Sequence, residues 1–600
     1  MKTYKKWVTV LLALVFALAF AGCEITVPDD TKDPEPPPEI LYDDDRVLSD
    51  HAFALSQVSG TDALGRSIRA GDASQKACEV GLFYFIWLGQ HPAEQKAVYD
   101  ISKLEQECEE EIFNPYSEVS KAGQYHHWGE PLYGYYNSGD PWVLTRHVEL
   151  FTTAGIDFLV FDTTNNVIYE SVVTSLLRIL DKFQKQGFAV PKVAFMTNTR
   201  ARDTAVRIYN AFYAPNAANR YPSLWYSPNG KPLIMTDPKQ LNASDAVDKA
   251  MLDLFEVRGA QWPDKPADAN NFPWMSWAYP QFNHNGVMSV SVAQHTTARM
   301  SLKERNRGRG WDKSDRVNFT MRAAEGSNIQ SQWNTVFAAN ANENPDDDVD
   351  TVFVTGWNEW IALKLNDYGD VYFVDNYNAE YSRDLEMDKT AYGDNFYMQL
   401  VDNVHKLKYA EYKHYKHTPV TATSATDQAW ESVRAYPDFV GDAINRNYRG
   451  YVESTTYTDN TARHDIKEIK VASDDTYAYF RIECAGAIGA YREGDTTYMN
   501  IWIATERTEG YDYVINRTYG KLGKRGENNA YTDVADAEVA VEGNVLTAKV
   551  ALADLGVDPA DPGFLFKVSD HVDASDPMNF YIQGDCAPIG RLSYTFGYVK

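Results

Sequence analysis

The spacing of hydrophobic positions divides the chain into two parts. From Val80 onward, short apolar runs alternate with stretches whose apolar residues recur every three to four positions. That pattern is typical of strands and helices alternating in a parallel α/β fold. Beyond Asp427 the period changes to two, as at Ile469 and Val471, and turn signals separate the runs. The change predicts an α/β domain followed by an all-β domain.

The first part contains seven recognisable strands and the helices between them. The predicted strands are residues 80–87, 156–161, 192–196, 233–235, 274–279, 287–292 and 352–354. Between the first two strands, Asp140 is the predicted N-cap of a helix, with Pro141 at its first position and Gly155 after its end. An eighth strand is inferred only from the template of eight alternating strands and helices.

The predicted fold class is therefore α/β, a (β/α)8 TIM-like barrel with a C-terminal all-β sandwich. The barrel is assigned to residues 46–412, a linker to 413–427 and the sandwich to 428–600. Catalytic groups of such barrels lie at the carboxyl ends of the strands, so polar residues directly after each strand are the first candidates for a site.

The first 45 residues predict export and a membrane tether. Three lysines within the first six residues precede the apolar run 7–20, and Ala21-Gly22 stands directly before Cys23. Residues 1–23 thus resemble a bacterial lipoprotein signal, with acylation at Cys23, and an ordinary secretory signal is the alternative. Residues 24–45 are rich in Pro and Asp and predict an extended tether. The expected location is the outer membrane, cell surface or periplasm.

Composition narrows the class of partner. A chain of 600 residues with a net charge of -27 has no basic patch for nucleic acid or for anionic lipid. Its 39 Tyr and 14 Trp suit a sugar-binding protein, although a tyrosine-rich surface would look the same. A polysaccharide or oligosaccharide is therefore the predicted partner, without a cofactor, and the sequence does not indicate an oligomeric state.

The cysteines after the signal segment do not predict a zinc site. Cys78, Cys108, Cys484 and Cys586 show neither a CxxC motif nor a Cys/His spacing. One disulfide in each domain, Cys78 with Cys108 and Cys484 with Cys586, and buried free thiols are both compatible with the sequence.

The strongest candidate chemistry follows strand 352–354. Asn358 and Glu359 come where that strand should end, and Trp357 and Trp360 flank them. A carboxylate between two indoles is partly desolvated, and the rings could stack on sugars, which predicts acid–base chemistry on a carbohydrate. The alternative stays open that Glu359 pairs with an arginine while both tryptophans belong to the core.

Two further carboxylates are candidates for the same site. Asp162 directly follows strand 156–161, although it could equally form an Asx-turn or cap the next segment. Glu130 lies in a long loop among hydrogen-bonding and aromatic side chains, which could bind a sugar. The residues predicted to bind substrate are His91, His126, His127, Trp128, Tyr133, Asn198, Gln294, His295, Trp357, Asn358 and Trp360. No metal site is predicted, because adjacent histidines point apart in an extended chain.

Several motifs of the first part resemble glycoside hydrolase family 99, which contains retaining endo-α-mannosidases. They are Tyr135-Tyr136, residues 140–143, residues 154–157 and the segment 356–360. The resemblance implies that Glu359 acts as a base on the sugar's own 2-hydroxyl. In that family a second glutamate three positions later is the acid, and this chain has Ala362 there. Asp162 and Glu130 are therefore the candidates for the acid.

The last part resembles family 9 carbohydrate-binding modules. The similarity rests on Trp430, Tyr436, Gly441-Asp442, Asp465-Ile466, Val471-Ala472, Asp474-Asp475 and the run 477–480. Such modules bind sugars through aromatic rings, and Trp430 or Trp502 could serve here unless each is a core residue of the sandwich.

Together these features predict an exported glycoside hydrolase whose substrate is an extracellular polysaccharide or glycan. The enzyme is expected to be endo-acting and to use a carboxylate pair at the barrel mouth. The alternative is a surface glycan-binding lipoprotein without catalysis. Ala362 is the residue that keeps this alternative open.

Overall fold

The computed structural model describes residues 49–600 except 76–77, 91–96, 343, 345–346, 412–417, 598 and 600. The signal segment, the tether, Cys23 and His91 lie outside the described residues. Val47–Lys600 form one unit by their internal contacts. Within the described part, no helix combines the length and apolar content needed to cross a membrane.

The α/β part is built on a parallel sheet. In spatial order its strands are Glu256–Arg258, Leu233–Met235, Lys192–Thr197, Phe158–Thr163, Glu79–Tyr84, Thr351–Val354 and Val287–Val290, with Asn283–His284 antiparallel at the edge. A separate parallel pair joins Ala260–Gln261 to Phe272–Pro273. Thr351–Val354 is buried on both faces and lies in the middle of the sheet, as its unbroken apolar run predicts.

The sheet is curled, because residues from its distant strands share one hydrophobic cluster. Phe353 lies 6.3 Å from Phe158 and 5.0 Å from Phe272, measured between ring centroids. The same cluster includes Met235 and Val287, which stand on strands at opposite ends of the sheet. Among the described residues, no hydrogen-bonded pairing joins the two ends of the sheet. A curled α/β sheet is thus observed, and the closed (β/α)8 barrel stays a prediction.

Helices pack around this sheet. The α-helices of the described chain are Asp50–Ser56, Ile101–Glu107, Pro141–Thr153, Glu170–Gln184, Ala201–Ile208, Ala246–Leu254, Ser327–Asn340, Asn395–Lys408 and Leu552–Leu555. The capping prediction at Asp140 is confirmed, since its side chain accepts a hydrogen bond from the backbone N–H of Trp142 at 3.0 Å. Gly155 follows this helix at a positive φ of 74°, where L-residues with a side chain are strained.

Two strand predictions need correction. Residues 274–279 form no strand, and the neighbouring strand is Phe272–Pro273. The strand Glu256–Arg258 was missed because its residues are half-buried and polar at two of three positions. A short edge strand of this kind lacks the apolar run on which the sequence prediction depends.

A four-stranded sheet lies next to the segment that contains Glu359. Its order is Asp370–Val374, Ile361–Asp367, Tyr125–His127 and Tyr99–Asp100. Smaller two-stranded pairs are Trp311–Asp312 with Val317–Asn318, Tyr409–Glu411 with Gly71–Gln75, and Arg446–Arg449 with Thr456–Asp459.

The C-terminal part consists mainly of two antiparallel sheets. One contains Ser67–Ile68, Val58–Thr61, Leu592–Phe596, Phe564–Asp570, Asn500–Ala504, Tyr513–Ile515, Lys521–Arg525 and Tyr531–Asp536 in that order, with Asp585–Ala587 beside Phe564–Asp570. The other contains Ala435–Pro437, Ile466–Ser473, Tyr477–Cys484, Val545–Ala551 and Glu538–Glu542. Phe480 of the second sheet lies 5.9 Å from Phe564 of the first, between ring centroids, so the sheets share a core. Their classification as a β-sandwich domain stays a prediction.

A strand from the start of the described chain belongs to this C-terminal sheet. Val58–Thr61 pairs antiparallel with Leu592–Phe596, with Val58 opposite Tyr594 and Gly60 opposite Leu592. The predicted boundaries 46–412 and 428–600 stay predictions, but a fragment of residues 426–600 would lack this strand and would expose an apolar sheet edge.

We therefore expect the fragment 426–600 to unfold at a lower urea concentration than the same part of the intact chain. Adding a peptide of residues 57–68 should raise the unfolding midpoint of the fragment, because the peptide restores the lost pairing. A peptide of the same composition in scrambled order is the control. Equal midpoints with and without the native peptide would contradict the structural role of this strand.

The cysteines are free thiols in the described structure, so of the two possibilities the disulfides are not formed. Cys78, Cys484 and Cys586 are buried, and burial raises the pKa of each thiol, to about 12 for Cys78.

Candidate functional site

The backbone on both sides of Glu359 is held by buried contacts. The side-chain oxygen of Asn358 accepts a hydrogen bond from the N–H of Phe85 at 2.9 Å, and its amide donates to the carbonyl of Phe85 at 3.0 Å. Trp360 stacks on Trp128 at 4.0 Å between ring centroids, and its indole N–H donates to Glu386. These contacts fix the carboxylate of Glu359 at the end of the strand before it.

One guanidinium, that of Arg383, lies among four carboxylates. The Nη2 of Arg383 donates to Oε2 of Glu359, and Asp384, Asp375 and Asp162 act on the same guanidinium electrostatically. Burial opposes the charge of Arg383, but the four carboxylates outweigh burial and raise its pKa above the ordinary value. The single charge of Arg383 therefore cannot compensate all four carboxylates around it.

The neighbouring negative charges contribute to a raised pKa of Glu359. Burial raises the pKa well above its ordinary range, the charge of Arg383 opposes that rise, and the charges of Asp375, Asp384 and Asp162 add to it. Because these charges act on one another, the uptake of a proton by Glu359 depends on the charge state of the other three carboxylates. A protonated and an ionised carboxyl side by side are the two partners that acid–base catalysis needs.

Asp162 is the residue before the last of the strand Phe158–Thr163, and its charge acts on Arg383 and Glu359. Its Oδ1 accepts hydrogen bonds from the backbone N–H of Thr164 at 3.0 Å and from the hydroxyl of Thr164 at 2.7 Å, which is the Asx-turn considered from the sequence. Its Oδ2 accepts a longer hydrogen bond of 3.4 Å from the indole N–H of Trp87. Burial raises the pKa of Asp162 above its usual value. One oxygen is thus engaged in the turn, and the other is held weakly.

Asp375 is a carboxylate that the sequence analysis missed. It directly follows the strand Asp370–Val374 and has a φ of 70°, a left-handed conformation in which Asp is among the better-tolerated residues. Burial raises its pKa, and the charge of Asp162 adds to the effect. The signal was available, since an acidic residue follows an alternating strand, but this strand lies in a hairpin and is not one of the predicted barrel strands.

Asp384 has a structural task within the group. Its Oδ1 accepts a hydrogen bond from the backbone N–H of Glu359 at 2.8 Å, and its Oδ2 accepts one from the amide of Asn376 at 3.2 Å. Because it is almost fully buried, it orients the backbone of Glu359 rather than contacting a ligand.

Aromatic rings lie beside the carboxylates, and Trp87 and Tyr169 among them are buried. Trp87 stacks on Tyr169 at 6.5 Å and meets Tyr125 at 5.3 Å, edge to face. The charges of Asp375 and Glu359 help burial to raise the pKa of Tyr125, which places that phenol near both. On the other side, Arg383 lies 4.8 Å from the ring of Trp274. Tyr125 and Trp274 are both half-buried, so they offer exposed ring surface next to the carboxylates.

The tryptophans predicted to stack on sugars have no exposed face. Trp128, Trp357 and Trp360 are 0% exposed, and Trp357 packs edge to face against Phe151 at 4.9 Å. Tyr133 is likewise buried. The structure shows Glu359 paired with an arginine and both flanking tryptophans in the core, which is the alternative that the sequence left open. The stacking prediction failed because Trp357 packs against Phe151 and Tyr397 of two helices, and Trp360 packs against Trp128.

The histidines predicted to bind substrate are buried as well. His126 is hydrogen bonded to the hydroxyl of Ser120 at 3.0 Å, and His127 packs edge to face against Tyr135. Burial lowers the pKa of both imidazoles to about 3, so both are neutral at physiological pH. His295 is buried beside Arg383, and burial lowers its pKa well below the ordinary value. These rings have packing roles and no surface for a ligand.

In the described part of the chain, the remaining predicted residues form no hydrogen bond or ion pair with Glu359. Glu130 forms ion pairs with Lys103 at 3.0 Å and with Lys389 at 2.8 Å, and these lysines lower its pKa despite partial burial. Gln294 is buried and donates to a backbone carbonyl at 3.0 Å, whereas Asn198 is exposed. Of the two other predicted carboxylates, Asp162 acts electrostatically on Glu359, whereas Glu130 is paired with two lysines.

No protein-family model matches the chain, and no curated protein matches it. Its structure has a weak similarity to that of the GH99 endo-alpha-mannosidase from Bacteroides thetaiotaomicron, with a TM-score of 0.28 and 14% identity, over 55% of this chain and 97% of that one. A CBM9 carbohydrate-binding module from Caldicellulosiruptor kristjanssonii, in complex with cellotriose, gives a TM-score of 0.15 and 15% identity, over 30% of this chain and 80% of that one. Scores this low carry no functional argument.

Proposed function

We propose that this protein is a glycoside hydrolase that acts on an exported or extracellular glycan. The observation that carries the proposal is the group of four carboxylates around Arg383. Two of them, Asp162 and Glu359, lie at or after the carboxyl ends of two strands of the same parallel sheet. Glycosidic cleavage needs an acid and a base on opposite sides of the scissile bond, and a shared surplus of negative charge keeps one carboxyl protonated while another is ionised.

The proposed chemistry uses these two states. The protonated carboxyl donates its proton to the leaving glycosidic oxygen as the bond from the anomeric carbon to that oxygen breaks. The ionised carboxylate removes a proton from the attacking hydroxyl, of water or of the sugar, which forms the new bond to the anomeric carbon. With Glu359 as the base, Asp162 and the newly found Asp375 are the candidates for the acid, since position 362 is a buried alanine. Tyr125 and Trp274 supply ring surface for the sugar.

The proposal includes two structural assignments. The curled sheet is taken as a (β/α)8 barrel whose ring closes through Phe272–Pro273, since Phe272 and Val287 belong to one interior cluster. The two C-terminal sheets are taken as a β-sandwich module.

A specific feature favours the second candidate function, glycan binding without catalysis. A cleft of about 470 Å³ lies on the C-terminal sheet and is lined by the half-buried rings of Tyr511 and Tyr531, with the buried Trp502 and Phe580 behind them and Arg525, Arg591 and Glu509 among its polar groups. Aromatic rings with a few charged groups suit a sugar ligand. Trp430, the other ring considered from the sequence, is buried in a separate cluster.

One experiment separates the two functions. The purified protein is incubated with α-mannans, plant cell-wall polysaccharides and algal polysaccharides, the products are separated by chromatography, and binding is followed by affinity electrophoresis. New oligosaccharide products from at least one glycan are expected. Retardation on a glycan without any product would favour the binding protein, and neither products nor retardation would reject both.

The location is also a proposal, namely a lipoprotein tethered through Cys23. Replacing Cys23 with alanine should release soluble protein from the membrane fraction, because the acyl chains contribute about 0.8 kcal/mol for each buried CH₂ group. The distribution of protein between membrane and soluble fractions is measured by immunoblotting. Ser49→Ala, outside the signal segment, is the control, and unchanged membrane retention of the Cys23 variant would contradict the tether.

A further inference from the structure

The segment 299–316 is an exception to the acidity of the chain. It contains seven lysines and arginines and three acidic residues, in a protein with a net charge of -27. Of the seven cations, only Arg299 forms ion pairs among the described residues. The other six positive charges have no carboxylate in direct contact within the described part of the chain. The net charge of the whole chain concealed this local excess of positive charge.

This basic segment lies against the group of four carboxylates. The backbone N–H of Met300 donates a hydrogen bond of 2.8 Å to the carbonyl of Phe373, two positions before Asp375. Nη2 of Arg309 donates to the carbonyl of Asp384 at 2.8 Å. Since Asp375 and Asp384 both belong to the group, a ligand bound on this segment would lie close to the carboxylates.

Arg307 is a half-buried cation of the basic segment. Its Nε donates to the side-chain oxygen of Gln294 at 2.9 Å, and its Nη2 donates to the carbonyl of Trp277 at 2.7 Å. Its guanidinium lies 5.4 Å from the ring centre of Trp311, and Tyr279 meets that ring edge to face at 5.1 Å. These contacts fix the orientation of the guanidinium, and all of them are made by uncharged groups.

The charge of Arg307 is partly desolvated and has no counter-ion among the described residues. Burial lowers its pKa to about 10, and the nearby phenol of Tyr279 opposes this effect, so the guanidinium is still charged at neutral pH. No described residue accepts a hydrogen bond from its Nη1. A buried charge without a partner is unfavourable, and an anion at Nη1 would remove that cost. Arg383 differs, because four carboxylates already surround it.

We infer that Arg307 binds an acidic group of the glycan, a uronate carboxylate or a sulfate ester, on a sugar near the bond that is cleaved. A guanidinium donates in a fixed fork that matches the oxygens of such anions. The half-buried rings of Trp277 and Tyr279 lie beside the guanidinium and offer a surface for the same sugar. The inference rests on the proposed function, and it names the class of substrate, an acidic polysaccharide.

The first test measures binding of the full-length protein to matched pairs of glycans by affinity electrophoresis. Alginate and polygalacturonate are compared with their carboxyl-reduced forms, and carrageenan and fucoidan with their desulfated forms. We expect at least about 10-fold tighter binding to the acidic member of one pair, and weaker binding in high salt. The pair that responds distinguishes a uronate from a sulfate ester. Equal binding within every pair, or binding to no acidic glycan, would overturn the inference.

Variants then test whether Arg307 is responsible. Arg307→Gln should weaken binding to the acidic glycan by about 10- to 100-fold and leave binding to its uncharged form nearly unchanged. Arg307→Lys keeps the charge without the fork and should have an intermediate affinity. Arg305→Gln, the same change of charge at an exposed neighbour, is the control and should alter binding by less than about 2-fold. An equal loss in both glutamine variants would indicate unspecific attraction and overturn the assignment.

The binding measurement separates this inference from the proposed hydrolase. Binding that depends on Arg307, without products from any glycan, would reject hydrolysis and keep the acidic subsite. Products from a neutral glycan, with Arg307→Gln as active as the wild type and no preference for acidic glycans, would keep the hydrolase and reject the subsite. If an acidic glycan is hydrolysed, Arg307→Gln should raise KM by about 10-fold or more and change kcat little. Should this variant fail to fold, the wild-type comparison of the matched glycans decides.

Discussion

Replacing Glu359 with glutamine should lower the rate of glycan hydrolysis by about 10²–10⁴-fold, the usual contribution of a general acid or base. Glutamine keeps the shape of the side chain and a hydrogen-bond acceptor for Arg383, but it can neither hold nor remove a proton at the reacting atoms. The rate is measured by chromatography on the glycan that the wild-type protein hydrolyses. Circular dichroism and the unfolding midpoint show whether the fold is kept.

Variants of the other carboxylates then identify the partner of Glu359. If Asp162 is the acid, Asp162→Asn should cause a comparable loss of rate and Asp375→Asn a smaller one, and the reverse order would assign the acid to Asp375. Glu130→Gln should keep most of the activity, because Glu130 pairs with two lysines away from the group. Full activity of Glu359→Gln would reject the catalytic role and leave the binding protein as the better proposal.

Replacing Arg383 with methionine should lower the free energy of unfolding by about 3–5 kcal/mol at neutral pH, the usual cost of removing one partner from a buried ion pair. The variant loses the buried cation of the group and leaves its carboxylates facing one another. The change is measured by urea unfolding.

The pH dependence and a second substitution test the cause of that loss. A protonated carboxyl group needs no cation beside it. The loss in free energy of unfolding caused by Arg383→Met should therefore become smaller as the pH falls and the four carboxylates take up protons. Adding Glu359→Gln to Arg383→Met should recover part of the loss, since it removes one of the unpaired charges. Arg322→Met, which breaks an exposed ion pair with Glu325, should change stability little. A deficit that stays constant with pH would point to lost packing against Trp274 instead of lost charge.

Local sequence patterns predicted the strands and helices whose own residues are apolar or carry a clear capping signal. The apolar run before Glu359 became a strand buried on both faces, and the cap at Asp140 begins the helix that it predicts. Because strand ends of one parallel sheet converge on the same edge, the sequence also predicted that Asp162 and Glu359 approach each other, and the charge of Asp162 acts on the pKa of Glu359 in the structure.

The sequence by itself thus determined most of the apolar strands of the parallel sheet, and the acids that follow two of them, because both depend on near neighbours along the chain. Only the tertiary structure decided that Arg383 and Asp375 join Glu359, that Trp357 and Trp360 are core, and that Val58–Thr61 pairs with Leu592–Phe596. These contacts join residues up to several hundred positions apart. The exposure of a side chain, its ion partner and its pKa depend on residues that are distant in the sequence and close in the fold. A local sequence pattern contains no information about those residues.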